Sequence, residues 1–174
     1  MPLAVLLAGL TGSGKTTVAQ ALVGHGFTRL SVDEEVFRIH GRYGVDYPEN
    51  TYFERERPVV EAIRQRFIKE IEAGQDIVLD HGLWRRAERD AWLQAARDAG
   101  GHPLVVYLPV DRDELLRRLA ERNEREDANA LTVSPEALSD FFARFDTPAD
   151  DEEMIVYTGD LDALMAELSE ARGL

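Results

Sequence analysis

Cysteine is absent from the 174 residues. That excludes disulfides, thiolate nucleophiles and cysteine-ligated zinc or iron–sulfur centres. It fits a reducing compartment, and a cytoplasmic location is the expectation. Lysine is nearly absent too: Lys15 and Lys69 stand against eighteen arginines. A chain that uses arginine almost everywhere has kept one lysine inside a glycine-rich loop. Basic charge is also short overall, with 20 Lys and Arg against 33 Asp and Glu and a net charge of −13. Such a surface repels nucleic-acid backbones and anionic lipid, so both are disfavoured as partners. No apolar run approaches the ~20 residues that span a bilayer. The first residues lack the charged n-region of a signal peptide, and Met1 to Gly9 reads as a buried strand. The sequence is silent on oligomeric state.

What is present is an alternation of short apolar runs and longer amphipathic stretches, with no repeat and no long linker. "LAVLLAG", "FTRLSV", "QDIVLD", "HPLVVYL" and "MIVYT" read as strands. "KTTVAQALVG", "DEEVFRIHG", "FERERPVVEAIRQRFIKEIEAG", "RRAERDAWLQAARDAG", "RDELLRRLAERN", "SPEALSDFFARF" and "DLDALMAELSEA" read as helices. The third of these has helical spacing at Val60, Ile63, Phe67, Ile68 and Ile71. Such alternation predicts an α/β fold: three layers, α/β/α, around a five-stranded parallel sheet. The length suits one domain, 1–174. Ligands of such sheets bind at the carboxyl ends of the strands. Gly9, Asp33 and Asp80 fall there and should face one crevice.

The most specific signal is "GLTGSGKTT", Gly9 to Thr17. G-x-x-x-x-G-K-T between a strand and a helix is a phosphate cradle, the P-loop. Gly9, Gly12 and Gly14 allow the tight turn, and the loop amides of Ser13 and its neighbours face the phosphates. Lys15 would reach the β- and γ-phosphates of ATP, Thr16 would ligate Mg2+, and Thr17 follows in the same turn. Asp33, just after the second strand, is the candidate base that orients and deprotonates a hydroxyl acceptor, or a helix N-cap. Asp80 ends the apolar strand "IVLD", where it would touch Mg2+ or the acceptor. His81 and Trp84 follow it, then Arg85, Arg86 and Arg89, of which at least one would reach the site and the others be solvated. Arg118, Arg122 and Arg125 recur at helical spacing before the non-periodic "ANALTV", the pattern of a lid over 118–133 whose arginines would neutralise a transferring phosphoryl group. They could equally be surface partners of Glu114, Glu121 and Glu126. The stretch 37–58 carries Arg38, Arg42, Tyr43, Tyr47, Tyr52, Arg55 and Arg57, a set suited to holding an acceptor.

Taken in order, "GLTGSGKTT", "SVDEEVFR", "IVLDHGLWRRAERDAW" and "LLRRLAERN" resemble the P-loop kinases of the group that includes phage polynucleotide 5′-kinase, chloramphenicol phosphotransferase, zeta toxins and many AAA-type ATP-binding proteins. The resemblance runs from Leu3 to about Tyr157. It implies Lys15 and Thr16 on ATP–Mg2+, Asp33 as base, Asp80 near the acceptor hydroxyl, and Arg122 on the phosphates; Arg118 of the lid helix is a further nucleotide-binding candidate. With Asp33, the acceptor-side candidates are Arg38, Tyr52, Arg57, Asp80, Trp84 and Arg86. Phe145 and Pro148, in "FDTPADDEEMIVY", match a region that lies under the adenine. Arg38 stands two residues beyond the place where polynucleotide kinases carry an arginine. The expectation is therefore an ATP- and Mg2+-dependent kinase acting on a hydroxyl of a small molecule such as an antibiotic, nucleoside or sugar. A nucleic-acid 5′-hydroxyl kinase and a non-catalytic nucleotide switch remain as alternatives.

Overall fold

The computed structural model describes residues 1–122 and 134–173. Five strands, β1 (Leu3–Ala8), β2 (Thr28–Ser31), β3 (Ile77–Asp80), β4 (His102–Tyr107) and β5 (Met154–Val156), form one sheet in the order β2-β3-β1-β4-β5. Every pairing is parallel. The helices are α1 (Lys15–Gly24), α2 (Val32–His40), α3 (Tyr52–Glu72), α4 (Arg86–Asp98), α5 (Arg112–Arg122), α6 (Pro135–Arg144) and α7 (Leu161–Arg172), with a 3-10 turn at Glu49–Thr51. All five strands and seven helices lie where hydrophobic periodicity put them.

The period-2 geometry of a strand explains the layering. On β1, Ala4, Leu6 and Ala8 enter one core with Phe67, Ile71 and Trp92, while Leu3, Val5 and Leu7 enter the other with Val18, Leu22 and Leu164. A strand covered on both faces has no polar side to present, so β1 is an unbroken apolar run. Helices α2, α3 and α4 cover the first face, and α1 and α7 the second. A third, smaller cluster has Leu10 from the loop after β1, Leu115 and Leu119 from α5 and Leu138 from α6. It docks α5 and α6 over the carboxyl end of the sheet, beside the loop that leaves β1. Among the described residues no helix is long and apolar enough to cross a membrane.

Candidate nucleotide and acceptor site

The loop from Gly9 to Gly14 turns on two left-handed glycines, Gly12 (φ 85°) and Gly14 (φ 101°). A side chain at either would be strained. At Gly9 the limit is space, because a Cβ would stand 2.5 Å from Ser13 Oγ. The Gly9 amide donates to the Gly82 carbonyl at 3.1 Å, joining the cradle to the loop after β3. Gly14 caps α1, and the Val18 amide donates back to its carbonyl at 3.1 Å. The helix thus starts at the loop and aims its dipole and first-turn amides at it, a ready anion site. Ser13 Oγ is buried there without a hydrogen-bond partner. Lys15 Nζ donates to the carbonyls of Gly9 (3.1 Å) and Leu10 (2.9 Å), arching over the loop. From α5, Arg118 Nη1 lies 3.3 Å from the Gly12 carbonyl and 3.2 Å from that of Ser13, with Glu114 holding its Nε at 2.8 Å. Two cationic arms, Lys15 and Arg118, therefore converge on the cradle from two helices.

Thr16 Oγ1 donates to Asp80 Oδ2 at 3.0 Å, across 64 residues of sequence. Asp80 is only 5% exposed. A hydroxyl and a carboxylate meeting at a strand end are the hard oxygen donors that Mg2+ prefers, so the pair fits that ion. No cluster of three or more His, Asp or Glu suited to a metal occurs among the described residues. The pair would thus hold the ion together with the nucleotide's own oxygens and water, the usual habit of Mg2+. An arginine that the motifs did not single out completes this corner. Arg29, on β2, donates to the same Oδ2 from Nε (3.1 Å) and Nη2 (2.7 Å), and from Nη1 to Glu34 at 2.7 Å. The signal for it was available: a charge inside a short strand that is mostly shielded from solvent must find a partner.

Asp33 lies in the first turn of α2, exposed, and its Oδ1 accepts from Tyr52 Oη at 2.7 Å. The N-cap of α2 is Ser31, whose side chain accepts from the Glu34 amide. Asp33 is therefore not the cap, and its carboxylate is left to other work. Burial and the charges of Asp33 and Glu56 push the Tyr52 phenol well above its ordinary value, so it stays a donor. Burial likewise raises Glu56, with Asp33 adding to it and His81 opposing. His81 lies 3.6 Å from Glu88, with Nε2 buried and lacking a hydrogen bond. Burial pulls its imidazolium down, but contact with Glu88 and the charges of Glu56, Glu88 and Asp33 outweigh this, and its pKa ends above 6.5. Glu56 and Glu88 sit on helix faces that sequence gives no reason to separate from solvated ones.

Most of the other expected site residues form surface pairs, aromatic contacts or buried supports. Arg38 is on the surface, paired with Glu35 at 2.9 Å. Arg57 is exposed on α3 with no ion-pair partner among the described residues. Arg86 is held by Asp151 through two bonds of 3.0 and 2.8 Å. Trp84 packs on Phe141, ring centroids 5.0 Å apart, in the α5–α6 cluster. Tyr43, Tyr47 and Tyr52 pack edge to face on one another, and Arg55 stacks over Tyr47 at 5.0 Å. Phe145 stacks on Tyr107 with centroids 6.0 Å apart, and Pro148 is buried. Arg89 corrects the expectation of a solvated or site-reaching group. It is fully buried, bound to Glu152 at 2.7 and 2.8 Å and to the Leu83 carbonyl at 3.0 Å. Leu83 is the one non-glycine residue with positive φ (48°) among those described, and Arg89 pins this strained turn of the loop after Asp80. Arg89, Trp92 and Ala96 share the buried stripe of α4, and that spacing was the available sign. The side chain of Arg122, with Arg125, Glu126 and the rest of the expected lid from 123 to 133, lies outside the described residues.

A parallel sheet in this order, with a glycine cradle between β1 and α1 and a carboxylate at the end of β3, defines a P-loop protein of the three-layer α/β/α kinase-like class. The chain belongs to the AAA domain family, whose pattern matches residues 5–148. No curated protein matches it significantly. Among solved structures it is similar to a protein of Chloroflexus aurantiacus provisionally described as a kinase, at 18% identity, 98% of each chain covered and a TM-score of 0.78. It is similar to a gluconokinase from Sinorhizobium meliloti at 19% identity, covering 98% of this chain and 91% of that one, TM-score 0.64. It is similar to the Mycobacterium tuberculosis APS kinase CysC, solved with AMPPNP and APS, at 14% identity, 99% and 98% coverage, TM-score 0.60.

Proposed function

We propose that the protein is an ATP- and Mg2+-dependent phosphotransferase that moves the γ-phosphoryl group to a hydroxyl of a small molecule. The observation that carries this reading is the exposed Asp33 carboxylate, held by Tyr52 at 2.7 Å on the helix after β2, across the strand end from the Thr16–Asp80 contact. A switch has no use for such a group, whereas an acceptor hydroxyl needs one to take its proton. The kinases among its structural relatives support the same class.

In this reading the amides of the cradle and Lys15 hold the β- and γ-phosphates, with Gly9, Gly12, Ser13 and Gly14 shaping the loop. Arg118 swings its guanidinium from the loop carbonyls onto phosphate oxygens, and Arg122 acts beside it. Thr16 and Asp80 would hold Mg2+, which when bound would offset charge on the phosphoryl oxygens. Asp33 accepts the acceptor proton, and Tyr52 keeps the carboxylate turned toward it. The 37–58 excursion forms the acceptor wall. Most of the rate comes from positioning and charge stabilisation. The acidic surface favours a small acceptor over a polynucleotide. The test is incubation with ATP, Mg2+ and a metabolite library, read by mass spectrometry. One product heavier by a phosphoryl group is expected. ATP turned over only to ADP and phosphate across a broad panel would remove the reading.

A further inference from the structure

Arg29 is the one charged side chain on the β2 edge that reaches inward to the cradle's carboxylate. Its own side chain is 12% exposed and that of Asp80 5%. Three donors converge on a single oxygen: Nε and Nη2 of Arg29 and Oγ1 of Thr16 all meet Asp80 Oδ2. The remaining guanidinium nitrogen crosses to Glu34, next to Asp33 in the first turn of α2. Arg38, an acceptor-side candidate from sequence, is turned to the surface.

We infer that Arg29 is a positioning residue that holds Asp80 as an already-paired carboxylate, so that Asp80 addresses Mg2+ through Thr16 and water and not as a strong direct ligand. A guanidinium with two hydrogen bonds on the oxygen nearest the cradle competes with a cation for that oxygen. It also brings a positive charge to the metal corner, which weakens Mg2+ there and favours the metal-free nucleotide anion. Arg29 thus sets how strongly magnesium and nucleotide bind one another's complex, and through Glu34 it fixes the acceptor-side helix to the donor-side strand. This rests on the nucleotide–Mg2+ reading of the site given above.

The measurement is ADP binding by calorimetry with and without Mg2+, the readout being the ratio of the two affinities. Arg29→Met should raise that ratio about tenfold or more, because a buried Asp80 relieved of its partner gains most from the cation. Arg29→Lys, which keeps the charge and loses the second bond, should raise it about threefold. Glu34→Gln removes a negative charge while leaving the Arg29–Asp80 pair, so its ratio should stay level or fall. If Arg29→Met does not unfold cooperatively, the lysine variant decides the matter alone. A ratio unchanged or lowered in a folded Arg29 variant overturns the inference, and so does an equal rise in Glu34→Gln. Absence of ADP binding by the parent protein would instead sink both the inference and the functional reading on which it rests.

Discussion

The proposed donor side and the proposed acceptor side of the crevice are built in opposite ways. The donor side would be nine consecutive residues, Gly9 to Thr17, able to satisfy an anion with their own amides, a helix start and one lysine. The acceptor side is assembled from four places: Asp33 on α2, Tyr52 and Glu56 on α3, His81 after β3, and Glu88 on α4. Contiguous backbone can hold a phosphate with no help from the rest of the fold. A group that must meet a specific hydroxyl needs its neighbours supplied by distant segments. Among the described residues the two sides are joined by Thr16 on Asp80, by Arg29 between Asp80 and Glu34, and by Gly9 bonded to Gly82.

The sharpest way to separate the two sides is to break each in turn. Asp33→Asn should lower transfer by about 10²–10⁴-fold with ATP affinity kept, as expected for loss of a base. Lys15→Ala should do the reverse first, weakening ATP binding. Transfer by Asp33→Asn at the parent rate would dissolve the contrast. Next in size is the support beneath the acceptor loop. Arg89→Met leaves Glu152 as a buried, unpaired charge and should cost about 3–5 kcal/mol in urea denaturation. Arg89→Met with Glu152→Leu should recover most of that loss, since both side chains are buried, at 0% and 6% exposure.

Tyr52→Phe removes the hydroxyl that donates to Asp33 and also faces Glu56. A single lost hydrogen bond of this kind should lower transfer about five- to fifteen-fold, with ATP affinity unaltered. An equal loss of ATP affinity would mean that Tyr52 serves the donor side. His81 gives a pH test. Its pKa is raised in the folded state, so the stability it supplies is fully present below 6.5 and is lost as pH rises through the raised value. The melting temperature of the parent relative to His81→Gln should therefore be highest below pH 6.5 and converge with it above. A difference that grows with pH would contradict the acidic surroundings ascribed to His81. The smallest effect belongs to Arg86→Ala, whose partner Asp151 is an exposed carboxylate. Transfer and urea midpoint should both stay within about twofold and a few tenths molar of the parent.

Hydrophobic periodicity alone determined the strands, the helices and their alternation, because each element's buried face is written in its own period. It also determined the cradle, whose chemistry is local: Gly12 and Gly14 must be glycine for their φ, and Lys15 and Thr16 follow them on the first helical turn. Asp33 and Asp80 were legible as strand-end carboxylates. Their partners were not, because no spacing within one segment says that Tyr52 will reach Asp33 or that Arg29 will reach Asp80 from the neighbouring strand. Tertiary structure decided which of many arginines face inward. It buried Arg89 against Glu152, aimed Arg29 and Arg118 at the cradle, and left Arg38 and Arg86 in surface pairs. The physical reason is that an arginine on an amphipathic helix or short strand reads alike in sequence whether its partner is water or a carboxylate brought from 50 or more residues away. Only packing supplies the carboxylate.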